Sequence, residues 1–279
     1  MTIDSRRILF KVFAYLSLCV ALAITLFPIY TLIITSLKTP GEVSSFPPTW
    51  YPHNPTLSSF TRLWTRGEFV RYFFNSLIVA LTASCLSLIV AIPGGYSLAR
   101  FKYPGRELLS STVLLVYMFP PVLLVIPLFL VFDFLNLVDT YASLIISYTT
   151  FALPFCIWML RGFFSTIPKD LEDAARIDGC NHFEAIFRIV IPLSAPGIAT
   201  AFLFSFILAW SNYIYALVFI NSNSKFPLTV GVQMLVGRYG MDYSLIMAGC
   251  LALILPPVII FFLFQRYIVK GLTAGAVKE

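Results

Sequence analysis

One polar segment, residues 161–193, holds a dense set of side chains that could act on a partner. It contains nine of the 32 charged residues of the chain, four basic and five acidic. Within it lies a motif of fixed spacing: Asp173-Ala174-Ala175, three residues, Gly179, nine residues, Ile189 and then Pro192. Two alanines beside a carboxylate, with Ile177 nearby, form a face that a groove on a cytosolic partner can contact closely. The pattern favours docking of this segment onto a partner protein; an amphipathic loop lying on the membrane surface is the alternative.

Residues for covalent, metal or nucleotide chemistry are scarce in this sequence. The only histidines, His53 and His182, are far apart, and no CxxC pair is present. The five cysteines lie in apolar runs or in segment 161–193, so a disulfide framework is not expected. No GxxxxGK[ST] phosphate loop occurs. We predict no catalytic site, no metal site and no cofactor in this chain, which is therefore not expected to be an enzyme.

The composition places the chain in a membrane. Hydrophobic residues make up 59% and charged residues 11%, whereas soluble domains carry about 25% charged residues. A chain this apolar cannot cover its own surface in water, which excludes a soluble enzyme, and disorder would need the opposite composition. The net charge of +6 then indicates orientation in the bilayer; no nucleic-acid partner is expected.

Six apolar runs are long enough to cross a bilayer, since a transmembrane helix takes about 20 residues. The sequence therefore predicts an all-α membrane protein with six transmembrane helices. The first run is interpreted as a retained span, because it is too long for a signal peptide and no cleavage site follows. The six predicted spans are Val12–Thr35, Asn75–Ala99, Leu108–Phe132, Tyr141–Leu160, Pro196–Ile220 and Ser244–Phe264.

The positions of the charged residues indicate the orientation of these spans. Thirteen of the 19 Lys and Arg residues fall in one set of alternating segments and six in the other. The positive-inside bias then places both termini in the cytosol. No Asp, Glu, Lys or Arg lies near the middle of a predicted span, which argues against an ion-coupled carrier or a voltage sensor.

Small residues recur in the second span at helical steps of three and four. They form one face of that helix, and the pattern predicts that another helix backbone packs closely against it. The face comprises Ser76, Ala80, Ala83, Ser87, Ala91 and Gly94.

The sequence of segment 161–193 predicts two short helices joined at a turn. Pro168 suits the first position of the first helix, and Gly179 suits a left-handed position after its end. Asn181 followed by Glu184 matches a capping box for the second helix, which Pro192 is expected to end.

The same residues resemble the EAA loop of ATP-binding-cassette (ABC) importer permeases, whose pattern is Glu-Ala-Ala, three residues, Gly, nine residues and Ile-x-Leu-Pro. Asp173 stands at the Glu position, with Glu172 just before it, and Ile191 at the Leu position. Six spans with this loop between the fourth and fifth are similar to the smaller permease subunit of carbohydrate importers of the maltose, trehalose and glycerol-phosphate type. The resemblance covers essentially the whole chain.

This resemblance implies a type I importer permease fold, with a transmembrane domain over 12–268, a coupling loop over 161–193 and cytoplasmic tails over 1–11 and 269–279. The implied partners are a second, related permease, two ATP-binding subunits that bind ATP and Mg²⁺, and an extracytoplasmic solute-binding protein facing loop 221–243. The implied location is the prokaryotic cytoplasmic membrane, among lipid. The implied ATPase-coupling residues are Glu172, Asp173, Ala174, Ala175, Ile177, Gly179, Ile189 and Pro192.

A cluster in the fifth span is the candidate pathway lining, because aromatic faces stack on sugar rings and amides or hydroxyls bond sugar hydroxyls. The same groups also join helices or mark the membrane interface, and both interpretations stay open. The candidates are Trp210, Ser211, Asn212 and Tyr213, with Tyr117 and Tyr148 as secondary ones for which packing is favoured.

Three other functions stay open at this stage. The first is a permease of the same machinery for another solute, such as a polyamine, phosphate or an amino acid. The second is a passive channel or facilitator, and the third is a membrane protein for structure or signalling. The EAA spacing separates the two importer hypotheses from the others.

Overall fold

Helices account for 82% of the residues that the structure describes. The computed structural model describes residues 3–65, 67–238 and 242–274, with side chains over 10–65, 67–237 and 242–267, and no strand occurs in these ranges. The long helices are α1 (Ile3–Leu37), α4 (Gly67–Arg100), α7 (Tyr141–Thr166) and α14 (Tyr243–Ala274). The shorter helices are α2 (Pro40–Val43), α3 (Ser58–Trp64), α5 (Arg106–Tyr117), α6 (Val125–Phe134), α8 (Lys169–Ile177), α9 (His182–Ala185), α10 (Ile191–Leu193), α11 (Ala195–Ser211), α12 (Ile214–Phe219) and α13 (Leu228–Arg238).

Among the described residues, four helices are long and apolar enough to cross a membrane. These stretches are Phe10–Leu37, Gly67–Arg100, Tyr141–Thr166 and Tyr243–Tyr267. Two further stretches are sharply bent pairs, Arg106–Tyr117 with Pro121–Phe134 at 90° and His182–Leu193 with α11 at 78°. The count is therefore four, or six if each bent pair makes one crossing.

The third predicted span is not a continuous helix. α5 ends at Tyr117, Pro120 is extended, and a 3₁₀ turn over Pro121–Leu124 leads into α6. Two consecutive prolines remove two backbone donors, which prevents the helix from continuing. Composition identified the apolar run, but the bend depends on this pair.

The fifth predicted span is also broken. α11 stops at Ser211, Asn212 is extended at ψ 127°, and α12 begins at Ile214. The break falls on the cluster that the sequence singled out as a candidate pathway lining.

The structure divides into two units, of which the first comprises 1–67 and 232–252. Inside it α1 packs on α3. The Tyr30 hydroxyl donates to the Trp50 carbonyl over 2.7 Å, and Arg62 forms an ion pair with Asp242 at 2.8 Å. The predicted tails, 1–11 and 269–279, include residues 1–2 and 275–279, which lie outside the described residues.

The second unit comprises 68–231 and 253–279, and α7 is at its centre, packed against α5 and α11. The small-residue face of α4 packs as predicted over most of its length: Ser76, Ala80, Ala83, Ser87 and Ala91 are buried, and Gly94 is half-buried. The Thr149 hydroxyl of α7 donates to the Ala83 carbonyl over 3.3 Å. Small side chains on α4 therefore let α7 approach its backbone.

Candidate functional site

Helix α8 ends in the turn that the sequence predicted. Gly179 has φ +94°, its N–H donates to the Arg176 carbonyl over 3.2 Å, and the Cys180 N–H donates to the Ala175 carbonyl over 2.9 Å. This is the geometry of a glycine-terminated helix end. Pro168 is the residue before the first helical position rather than that position itself.

The second part of the loop begins with the predicted capping box. The Asn181 side chain accepts from the Glu184 N–H over 2.9 Å, and the Glu184 carboxylate accepts from the Asn181 N–H over 2.8 Å. A π-helical turn over Ile186–Val190 follows α9. Contrary to expectation, Pro192 does not end the helical segment, which reaches Leu193. Proline fits there because it occupies the first turn of α10.

Helix α8 has one buried and one exposed face. Glu172 and Ala175, three positions apart and therefore neighbours on the helix surface, are 8% and 7% exposed. Asp173 and Ala174 are exposed, and Ile177 is 87% exposed. The motif residues thus divide between an inner and an outer face, which the sequence pattern did not distinguish.

Glu172 is held by two residues of α4 that the sequence analysis did not assign to this site. Its carboxylate lies 2.6 Å from the Arg100 Nε as a close ion pair, and its other oxygen accepts from the Tyr96 hydroxyl over 2.6 Å. Arg100 Nη2 also donates to the Ile167 carbonyl over 2.9 Å. In the sequence analysis Arg100 contributes only to the count of Lys and Arg that indicates membrane orientation. The spacing of one helical turn between Tyr96 and Arg100 was the one sequence feature that could have indicated a shared partner.

Large apolar side chains are exposed on this otherwise charged loop. Besides Ile177, Phe183 is 74% and Phe187 is 67% exposed. Ile189 is half-buried and Pro192 is exposed. Exposed apolar residues on a helix that spans a bilayer contact lipid, whereas those in a polar segment mark a contact with another protein or with the membrane surface.

The candidate pathway residues do not share one surface. Trp210 is buried, its indole N–H donates to the Leu253 carbonyl over 2.9 Å, and its ring stacks on Phe206. The Ser211 side chain is exposed and donates to the Ile207 carbonyl one turn back. Tyr117 is 41% exposed. Tyr148 is buried beside Tyr215.

Asn212 shapes the break between α11 and α12. Its side-chain oxygen accepts from the Tyr215 N–H over 3.2 Å, and its carbonyl accepts from the Thr229 hydroxyl over 3.0 Å. Asn212 and Tyr213 are both half-buried. The amide thus has a local structural partner, which is one of the two interpretations left open by the sequence.

A second polar centre, Asp139, holds the segment that follows α12. The Asp139 carboxylate accepts from the N–H groups of Asn221 and Ser222 over 3.0 and 2.9 Å, and from Lys225 over 2.9 Å. Partial burial disfavours its charge, but hydrogen bonds from Ser222, Lys225 and Asn221 outweigh that effect and hold the pKa of Asp139 well below its ordinary range. No sequence motif marked this residue.

Replacing Asp139 with asparagine should destabilise the protein by about 2 kcal/mol at pH 7, the range for hydrogen bonds to a charged group. Asparagine tolerates the φ of +60° at this position, so the change isolates the charge. Because the folded pKa is depressed, the stabilisation is present above the ordinary aspartate pKa and is lost as pH falls through the folded value.

The measurement is thermal unfolding of the detergent-purified protein between pH 7 and about pH 2, which extends into the window where the stabilisation is lost. The difference in unfolding midpoint between the two proteins should shrink with acid. A difference that stays constant over this range would show that the Asp139 charge contributes nothing.

Comparison with known proteins agrees with this architecture. Residues 91–274 match the family described as binding-protein-dependent transport system inner membrane component. The chain belongs to this family. The permease is therefore a multi-pass inner-membrane component of an ABC transport system.

Several relatives match the permease over nearly its full length. It is 38% identical to the sulfoquinovosyl glycerol transport system permease protein SmoH of Agrobacterium fabrum, over 96% of this chain and 94% of that one. It is 38% identical to the inner membrane ABC transporter permease protein YcjP of Escherichia coli, over 98% and 99%. Against the arabinooligosaccharides transport system permease protein AraQ of Bacillus subtilis the identity is 33%, over 91% and 90%.

A solved structure has the same fold. A chain of a bacterial ABC transporter that imports the acidic polysaccharide alginate superposes with a TM-score of 0.79 at 25% identity. The match covers 96% of the permease and 99% of that chain.

Proposed function

We propose that this chain is a permease subunit of a sugar importer that is driven by ATP hydrolysis in partner subunits. Two of the relatives named above, SmoH and AraQ, belong to transport systems for sulfoquinovosyl glycerol and for arabinooligosaccharides, and the structural relative is involved in the import of alginate, which supports a sugar or sugar-like solute. A second permease, two ATP-binding subunits that hold ATP and Mg²⁺, and an extracytoplasmic binding protein complete the importer. Both termini then face the cytosol.

Segment 161–193 is the proposed coupling loop. The observation that carries this role is the 87% exposure of Ile177 on a helix whose opposite face is fixed to the second unit through Glu172. An apolar side chain on a firmly anchored polar helix is suited to insert into a groove. Asp173, Ala174, Ile189 and Pro192 border or support that contact in this proposal.

The proposed solute pathway passes the break at Asn212–Tyr213. Interrupted helices in transporters place backbone groups where a solute can reach them. Ser211 offers an exposed hydroxyl at this break, and the buried Trp210 and Tyr148 support the helices beside it. Tyr117 is exposed at the end of α5, away from this break.

Changing Ile177 to aspartate should reduce the amount of ATPase that co-purifies with the tagged permease in mild detergent by about tenfold, because a charge would replace a large apolar contact at the centre of a protein interface. The measurement is the mass ratio of ATPase to permease after affinity purification.

Leu57→Asp is the matched control. Leu57 is 65% exposed and precedes the first residue of α3, a position that favours aspartate. Its ratio of ATPase to permease should equal that of the unmodified protein. Normal co-purification of Ile177→Asp would contradict the docking role, and no ATPase with the unmodified protein would contradict the importer function itself.

A further inference from the structure

The two oxygens of Glu172 are both anchored on one helix. Oε1 lies beside the Arg100 guanidinium and Oε2 beside the Tyr96 hydroxyl, each at 2.6 Å. Tyr96 and Arg100 are one turn apart near the end of α4. The Arg100 and Glu172 side chains are only 7% and 11% exposed. Helix α8 is therefore attached to α4 through a paired charge shielded from water.

Arg100 extends this connection to a third helix. The Arg100 Nε faces Glu172. Its Nη2 donates to the carbonyl of Ile167, the residue that directly follows α7. The Tyr96 ring also packs edge-on against Phe164 of α7. One cluster, Tyr96–Arg100–Glu172, thus joins the ends of α4, α7 and α8.

Displacing α8 from α4 would leave the buried Glu172 carboxylate and the buried Arg100 guanidinium without each other's opposite charge. Separating such a pair is strongly unfavourable because neither charge regains its full hydration. Rotation of α8 about its own axis is also resisted, because one carboxylate oxygen is hydrogen-bonded to Tyr96 and the other is ion-paired with Arg100. A force applied to the outer face of α8 is therefore passed to α4 and α7 before the cluster opens.

We propose that the Tyr96–Arg100–Glu172 cluster transmits movement of the coupling loop to α4 and α7. Glu172 is then a positioning residue that faces the spans, and the ATPase contacts fall to the outer face of α8. This inference rests on the proposed coupling function of segment 161–193.

The test uses the complete importer with its ATPase and binding protein, reconstituted in lipid vesicles. Glu172→Gln keeps the size of the side chain and removes its charge. It should lower the amount of sugar imported per ATP hydrolysed by about fivefold, a typical effect at positions that carry coupling between sites. The probe is whichever of trehalose, a sulfoquinovosyl glycerol and an arabinooligosaccharide the unmodified complex imports.

Matched variants separate transmission from assembly. Asp133→Asn makes the same chemical change at an exposed carboxylate on α6 and should leave the ratio unchanged. Arg100→Lys keeps the charge but cannot contact both Glu172 and Ile167. Its amount of sugar imported per ATP hydrolysed should therefore lie between those of Glu172→Gln and Asp133→Asn. Tyr96→Phe leaves the charges paired and should lower the ratio by about twofold, which keeps the proposal testable if Glu172→Gln does not accumulate.

A second readout needs no solute. Spin labels at Lys169→Cys on α8 and Ile89→Cys on α4, both exposed positions, are placed in a chain whose native cysteines are serines. Addition of a non-hydrolysable ATP analogue should leave the label-to-label distance unchanged in the unmodified complex and shift or broaden it in Glu172→Gln.

The outcomes discriminate between the claims. An unaltered import-to-ATP ratio in Glu172→Gln, or loss of its ATPase on purification, would overturn the transmission role. If the unmodified complex contains no ATPase or imports none of the sugars, the proposed function itself fails. A nucleotide-induced distance change in the unmodified complex would show that α8 moves independently of α4.

Discussion

Substituting Gly179 with proline should abolish ATP-driven import while the permease still reaches the membrane. The φ of +94° at Gly179 is out of reach for proline, whose ring fixes φ near −65°. Proline would also remove the N–H that donates to Arg176. The chain would then leave α8 in another direction, and α9 would no longer be held beside it.

A substitution at Gly179 could act through backbone strain or through a steric clash of the new side chain. A Cβ added at this position would meet no atom within 4 Å, so the series below tests backbone strain alone. Gly179→Asn, which tolerates a left-handed backbone, should retain most import. Gly179→Ala should be strained by about 1 kcal/mol and retain an intermediate activity. The measurement is uptake by reconstituted vesicles, normalised to the amount of permease inserted.

The control is Gly67→Pro, the same substitution at the first residue of α4, where proline is well accommodated. It should import normally. Normal import by Gly179→Pro would show that the geometry of the turn after α8 has no part in coupling.

Substituting Gly95 with alanine should destabilise the permease by about 2 kcal/mol, and valine by more, because both overpack a close contact. A Cβ at Gly95 would lie 3.1 Å from the Arg161 nitrogen and 3.2 Å from the Ile157 oxygen. These are backbone atoms of α7, so relief requires the two helices to separate. Separation would also disturb the cluster at Tyr96 and Arg100 next to it.

The neighbouring glycine provides the matched control. At Gly94 an added Cβ would meet only the Ile157 side chain, at 3.4 Å, which is ordinary contact. Gly94→Ala should therefore unfold within a few degrees of the unmodified protein, and Gly95→Ala clearly below it, in a thermal scan of purified protein. Equal midpoints for the two variants would contradict the close α4–α7 approach.

Features that depend on neighbouring residues in the sequence could be predicted. The turn at Gly179 and the capping box of Asn181 and Glu184 follow from local hydrogen bonding. The buried small-residue face of α4 follows from helical periodicity alone. The family resemblance rested on the spacing of the motif residues in segment 161–193.

Features that depend on long-range contacts could not be predicted. Tyr96 and Glu172 are 76 positions apart, and nothing local to either indicates the other. Asp139 meets Ser222 across 83 positions. The break at Asn212 lay within an apolar run of spanning length, and hydropathy averages over such a break. The break at Pro120 is different, because it follows from two neighbouring prolines.

The central claim is that ATP hydrolysis by a partner drives sugar import through this permease by way of segment 161–193. The most direct measurement is uptake of labelled sugar into vesicles that hold the complete importer, with ATP on the side of the coupling loop and the loaded binding protein on the other. We expect uptake that requires hydrolysable ATP and the binding protein, and that is lost in Gly179→Pro. Uptake that proceeds equally without ATP would identify a passive facilitator and contradict the account.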